Sequence, residues 1–289
     1  MATILLTGAN GKVSSAAIAA LQGSGHKLVA LVRDEAKGAE LAAKGVEVRV
    51  GDLEKLRTVE NLFGGVDVAF LLSAPGPGAP LQASNALWAA QQAGVKHVVR
   101  MSAVGAAHGA PTLNSRLHAL SDSELVASGI PYTILKPHFF MQNLLGLAQT
   151  VVDQGMLFFG LGDAKLPMID VRDIAGSVAA VLANPTPHAN KTYTLTGPAA
   201  VSMHQFAAAV GEAIGKSVKY QPVPVAAMVE TFAKYGADDY TQVAMRDYFT
   251  AYSAGWEDAV TTVVKDLVGR EPRGIQEFAR DFSGAFGKR

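Results

Sequence analysis

Short apolar runs alternate with stretches of helical periodicity through the first half of the chain. Residues 4–6 (ILL), 27–32 (KLVALV), 46–50 (VEVRV), 66–72 (VDVAFLL) and 96–101 (KHVVRM) read as strands. Between them, residues 14–22, 35–44 and 80–93 read as helices, and the Pro- and Gly-rich stretch 73–78 (SAPGPG) reads as a loop. Strands this apolar need cover on both faces, so the rhythm predicts a parallel sheet flanked by helices.

The second half keeps the rhythm and changes character. A helix over 115–128 stops at Gly129, and 130–135 (IPYTIL) is the next strand. Residues 139–154 read as a mostly apolar helix, and 170–183 as another with Asp170 as its cap. A strand over 191–195, a helix over 203–214 and a short strand over 218–221 follow. From residue 225 the pattern is helical to the end, broken at Gly236, Gly255, Gly269 and Pro272. No internal repeat or flexible linker interrupts it. The expected architecture is α/β, with a doubly wound parallel sheet from residues 1–137, completed by about 168–196. Residues 138–167 and 197–289 then form a smaller, mostly helical substrate lobe.

Composition narrows the function classes. The 289 residues are 49% hydrophobic and 17% charged, with 25 basic and 25 acidic side chains. That balance gives no field to attract nucleic acid or an anionic membrane. The absence of cysteine excludes disulfides, thiolate nucleophiles and thiolate zinc sites. His26, His97, His108, His188 and His204 are scattered without metal-ligand spacing, so no metal site is expected. The first strand begins close to Met1 with no leader-like segment, and no apolar run reaches membrane-spanning length, which reads as cytoplasmic.

The candidate chemistry begins where the first strand breaks into Gly8-Ala9-Asn10-Gly11 and then a small-residue helix. Such a turn leaves unpaired N–H groups at the helix start, where a phosphate can sit. The spacing Gly8-x-x-Gly11-x-x-Ser14 is neither the GxGxxG fingerprint nor a P-loop, and Ser14 stands where a third glycine would allow close helix packing. A bare structural turn is the alternative.

In open parallel sheets ligands gather at the carboxyl ends of the strands. The candidates there are Gly8, Asn10, Gly11, Lys12 and Val13 at the turn, then Arg33, Asp52, Leu53, Ser73, Ala74, Pro75 and Ser102. Near the end of the second strand, an acid suits the ribose 2′-hydroxyl of NAD and a base the 2′-phosphate of NADP. Arg33, with Lys37 one turn on, favours NADPH over NAD(H). Asp34 is the competitor, and adjacent residues on an extended segment point opposite ways, so only one addresses the ribose.

Tyr132-Thr-Ile-Leu-Lys136 matches YxxxK, the catalytic string of short-chain dehydrogenases. On a helix four residues rise about 6 Å; on the strand IPYTILK they span about 13 Å and cannot act as a pair.

The segments TGANGKVSSAAIAAL, LVALVRD, GDLEK, VKHVVRMSA, SELVASGIPYTILKP and MIDVRDIA, in that order, resemble the NmrA-like branch of the atypical short-chain dehydrogenase/reductases. The likeness is to NADPH-dependent quinone and triphenylmethane-dye reductases within it, and implies a Rossmann-type fold. It places His118 where related enzymes carry a catalytic lysine, as a proton donor that Asp122 at i+4 would orient. The alternative is an exposed helix histidine paired locally with Asp122. The resemblance also implies Pro137 against the nicotinamide, with His138, Phe139, Phe140 and Met141 around a flat substrate or in the core. Ser102 corresponds to the dehydrogenase serine, though the usual second serine is Ala103. Lacking a helical Tyr/Lys pair, the chain is expected to reduce a small planar or conjugated acceptor, whose reduced form is weakly basic. A non-catalytic NADP-sensing regulator is the rival, and an epimerase or dehydratase a third reading. Oligomeric state is not legible.

Overall fold

The apolar runs form strands β1 (Thr3–Leu6), β2 (Lys27–Val32), β3 (Glu47–Val50), β4 (Val68–Leu71), β5 (His97–Met101) and β6 (Tyr132–Pro137) in a computed structural model describing residues 1–287. Between them lie α1 (Lys12–Leu21), α2 (Ala39–Ala43), α3 (Leu56–Val59), α4 (Ala79–Gln92) and α5 (Leu113–Ala127). Later strands are β7 (Met156–Phe159), β8 (Lys165–Leu166), β9 (Lys191–Leu195), β10 (Val201–Ser202) and β11 (Lys219–Pro222). The later helices are α6 (Ala148–Gln154), α7 (Val171–Ala183), α8 (Met203–Ile214), α9 (Val225–Lys234), α10 (Asp239–Ser253), α11 (Val263–Val268) and α12 (Ile275–Asp281).

Seven strands make the main sheet, in the order β3-β2-β1-β4-β5-β6-β9. The pairs from β3 to β6 are all parallel, with Leu5 opposite Val29 on one side and Ala69 on the other. β9 runs the same way beside β6: Asn190 donates to the Tyr132 carbonyl (2.6 Å), and His138 N–H to that of Leu195 (2.9 Å). The strand order reverses between β1 and β4. There the Thr7 hydroxyl donates to the Leu72 carbonyl (3.0 Å) and accepts from the Leu72 N–H (2.8 Å), tying the two strand ends together.

The chain divides into two compact units. The first comprises Met1–Gly109, Asn114–Lys136 and Ile174–Thr194; the second comprises Ala110–Leu113, Pro137–Asp173 and the chain from Leu195 on. One face of the first unit's sheet buries Leu5, Val29, Ala69 and Val98 against Phe63, Leu87 and Leu125. The second unit packs Leu157, Phe159, Phe206, Tyr252 and Phe278 into its own core. Among the described residues, no helix is long and apolar enough to cross a membrane.

Several expected elements differ in detail. The 139–154 helix is not continuous: Phe139 and Phe140 are extended, a 3-10 stretch runs Met141–Leu147, and only then does α6 begin. The backbone there pairs sideways. Phe140 bridges Ile169, whose N–H goes to the Phe139 carbonyl and whose carbonyl takes the Met141 N–H. The 35–44 helix is likewise split, into a 3-10 turn (Ala36–Gly38) and α2. The helical second unit also contains two small sheets, β7 with β11 in parallel and β8 with β10 in antiparallel. Of these strands β11 matches the expected strand over 218–221, whereas β7, β8 and β10, with two to four residues, are too short for periodicity to reveal.

The expected cap at Asp170 is present: its carboxylate accepts the Arg172 N–H (2.8 Å). Arg172 in turn spans Asp170 (2.8 Å) and Asp281 (2.6 Å). Asp173, fully buried, takes the Arg273 N–H (2.6 Å) and the guanidinium groups of Arg270 and Arg273. The DVRD segment thus fastens the last helices of the second unit. Removing one partner of such a pair costs about 3–5 kcal/mol, so Asp173→Ala should lower stability by about that much in urea denaturation; a loss below about 1 kcal/mol would show that these arginines do not depend on it.

Candidate functional site

The turn after β1 has a backbone that only glycine adopts easily. Gly8 sits at φ +58°, and a Cβ there would touch the Leu72 side chain and carbonyl. Gly11 donates to the Gly8 carbonyl (2.8 Å), and a Cβ on it would lie 3.0 Å from that oxygen. Gly11, extended, caps α1 without a side chain, so the helix starts at Lys12, two residues before the periodicity suggested. No acidic residue occupies its first turn. Among the described residues no side chain caps these first N–H groups, and the helix dipole favours an anion beside them. Ser14 is fully buried, and its hydroxyl donates to the Thr7 carbonyl (2.8 Å), which lets a serine stand at the tight helix–strand contact. These features fit a dinucleotide pyrophosphate, the group whose nicotinamide would supply a hydride.

At the end of β2, Arg33 and Asp34 are both exposed. The Asp34 carboxylate accepts the Ala36 N–H (2.8 Å), so it is committed to starting the 3-10 turn. Lys37 follows in that turn, and a cleft of about 490 Å³ is lined by both Lys37 and Asn10. This cleft runs outward along α1 and shares only Asn10 with the predicted cofactor residues. Asp52 caps its own loop through the Glu54 N–H (3.1 Å), and the Leu53 carbonyl accepts from Asn85 (2.8 Å). Gln82 braces the 73–78 loop, accepting the Ala74 N–H (2.8 Å) while donating to Glu54 (3.0 Å). Ser73 is half-buried, and Ala74 and Pro75 are exposed.

The ends of β5 and β6 and the middle of α5 bring five polar side chains together. Arg100 and Ser102 share one face of the β5 segment. Arg100 Nε donates to one oxygen of Asp122 (3.2 Å), and the Ser102 hydroxyl to the other (2.6 Å). Lys136 Nζ lies 3.7 Å from Asp122 and donates to the Ala106 carbonyl (2.9 Å). His118 Nδ1 faces Arg100 Nη2 at 3.5 Å. Tyr132 and Lys136 do lie on a strand, so the YxxxK string forms no catalytic pair.

Two expectations are corrected here. Asp122 does not orient His118, because the guanidinium, the ammonium and the Ser102 hydroxyl occupy its carboxylate, and charged donors outcompete a neutral imidazole. His118 is not an imidazolium at neutral pH either: burial, then the charges of Arg100 and Lys136, push it down to about 3. Arg100 and Lys136 were not among the predicted site residues. The signal for Arg100 was a permanent charge inside the run KHVVRM, since a charge on a buried strand requires a partner.

In the second unit, Pro137 ends β6 and is buried, as are His138 and Met141, both 1% exposed. His138 Nδ1 accepts the Phe139 N–H (2.7 Å), which leaves Nε2 to donate to the Glu257 carbonyl (2.9 Å). Burial holds His138 down to about 4, so it is a neutral brace. Phe139 packs edge-on against Phe159 and Tyr252. His138 and Met141 are therefore core residues and not the substrate surface expected of them. Phe139 and Phe140 remain half-buried.

A family model described as NmrA-like family matches residues 1–279. An NAD(P)H azoreductase of Xenophilus azovorans is 34% identical over 284 residues, covering 98% of this chain and 99% of that protein. Quinone oxidoreductase 2 of Escherichia coli is 29% identical over 280 residues, 95% of this chain and 96% of that one. The crystal structure of the E. coli NADPH-dependent quinone oxidoreductase complexed with NADPH superposes with a TM-score of 0.88 at 27% identity, covering 96% and 99% of the two chains.

The strained turn is the point at which a dinucleotide site is most sensitive. Gly8→Ala should weaken NADPH affinity at least tenfold in a fluorescence titration while costing about 1–2 kcal/mol of stability; unchanged affinity would remove the turn from the cofactor site.

Proposed function

The chain belongs to the NmrA-like family and is an NAD(P)H-dependent reductase, and we propose that it delivers hydride to a quinone, conjugated carbonyl or dye-like acceptor, with NADPH as its preferred coenzyme. One observation carries the acceptor class: each donor among the described side chains at the ends of β5 and β6 is neutral or already hydrogen-bonded within the protein. The Ser102 hydroxyl is given to Asp122, His118 is neutral, and Lys136 is turned to Ala106 and Asp122. Reducing a plain ketone creates a strongly basic alkoxide that needs an acid close by. Hydride addition to a conjugated electrophile spreads the charge over the π system, and its product needs no strong acid. Positioning then supplies most of the rate enhancement.

The coenzyme preference rests on Arg33. With Asp34 committed to Ala36, the exposed guanidinium is the group at the end of β2 able to meet a 2′-phosphate, and Lys37 lies one turn beyond. Planar guanidinium groups bind phosphate through two parallel hydrogen bonds.

Oxidation of NADPH and NADH should be followed against a benzoquinone, an azo dye, a triphenylmethane dye and a simple ketone. Turnover is expected with one or more conjugated acceptors and none with the ketone. Cofactor binding without turnover of any acceptor would overturn the reading in favour of a dinucleotide-sensing protein. Arg33→Ala should raise KM for NADPH about tenfold or more and leave KM for NADH within about twofold; equal losses would show that Arg33 does not read the 2′-phosphate.

A further inference from the structure

Strand β5 carries a permanent charge in the middle of an apolar segment. Arg100 is 2% exposed, and its Nη1 has no hydrogen-bond partner among the described residues. Compared with apolar packing a buried ion pair contributes little stability, and an unpaired buried N–H costs about 1–3 kcal/mol. Stability therefore does not account for an arginine at this position, and its other neighbour supplies a reason.

Arg100 Nη2 lies 3.5 Å from His118 Nδ1. A guanidinium does not deprotonate in proteins and has no acceptor, so toward Nδ1 it is always a donor. A proton on Nδ1 would set two N–H groups against each other beside a full positive charge. The imidazole proton is thereby driven to Nε2. The charged groups around the ring act in the same direction. Lys136, on β6, adds a second cation, and Asp122, on the same helix as His118, gives its carboxylate to Arg100 and Ser102 with Lys136 beside it.

We propose that Arg100 is a positioning residue that holds His118 as a neutral imidazole with its proton on Nε2, so that His118 meets the acceptor as a hydrogen-bond donor and not as a source of the proton. This rests on the reductase reading. Hydride addition brings two electrons and one proton to the acceptor and leaves it with one negative charge more. The Nε2–H group stabilises that charge as it develops, and a proton from water completes the reduced product. A preorganised donor aimed at developing charge lowers the barrier without itself being consumed. A neutral donor also keeps its capacity as the pH rises, whereas an imidazolium acid loses its proton above its pKa, about 6.5 when unperturbed.

The test is the 15N NMR signature of His118 in the intact protein labelled at histidine nitrogen, assigned by loss of the signal in His118→Asn. The Nε2–H tautomer is expected, with no titration between pH 8 and about 5. In Arg100→Met combined with Asp122→Asn, which removes the cation and its carboxylate together, His118 should titrate at least one pH unit higher. Arg100→Lys, which keeps a charge for Asp122 but withdraws the planar N–H, should shift the tautomer toward Nδ1–H. The Nδ1–H form in the wild type, titration near pH 6.5, or an unaltered tautomer and titration in these variants would overturn the proposal. The spectrum requires no turnover, so absence of reductase activity would overturn the functional reading separately.

Discussion

The architecture depends on one constraint: β1 must pair in parallel with β2 on one side and β4 on the other, and the chain must leave its end through glycine. Both neighbours hold Leu5 at the centre of the sheet, and Thr7 closes the reversal point with two hydrogen bonds to Leu72. Gly8, packed against that same Leu72, turns the chain at φ +58°. The start of α1 is thus set directly by the pairing of the two strand ends. Ser14 completes the arrangement by using the Thr7 carbonyl, which makes a serine compatible with a contact usually reserved for glycine.

Much of this was legible in the chain because burial on both faces writes a strand as an unbroken apolar run. Residues 27–32 and 191–195 have the bounds that the apolar pattern gives, and α1, α2, α4 and α5 fall where the alternating rhythm puts helices, whereas the four-residue α3 leaves no mark in it. The second unit was less legible for a physical reason. Its strands are two to four residues long, and the stretch after β6 satisfies its backbone against Ile169 rather than within a helix. An apolar sequence such as FFMQNLLGL carries no mark of which partner its N–H groups will find.

The site divides along the same line. The glycine turn after β1 could be read locally, because its conformation depends on the adjacent backbone. The polar cluster could not, because Asp122 chooses among donors brought from two strands and its own helix. A histidine and an aspartate four residues apart on α5 suggest a pair, yet the stronger donors arrive from β5 and β6. His138 and Met141 illustrate the converse: aromatic and thioether side chains near an expected ligand were simply taken into the second unit's core.

The interleaving of the two units bears on how the protein is made. The first unit is not contiguous: β6 finds its outer neighbour β9 only after Pro137–Asp173 have been contributed to the second unit. Asn190 bonds to the Tyr132 carbonyl across 58 residues of chain. Pairings of such sequence separation carry a large loop-closure entropy and form slowly. During synthesis, the glycine turn after β1 can be in place while one edge of the sheet is still unpaired. Until residues 191–195 leave the ribosome, that edge of β6 is a template open to other strands, so the interval of greatest aggregation risk belongs to translation and not to the finished molecule.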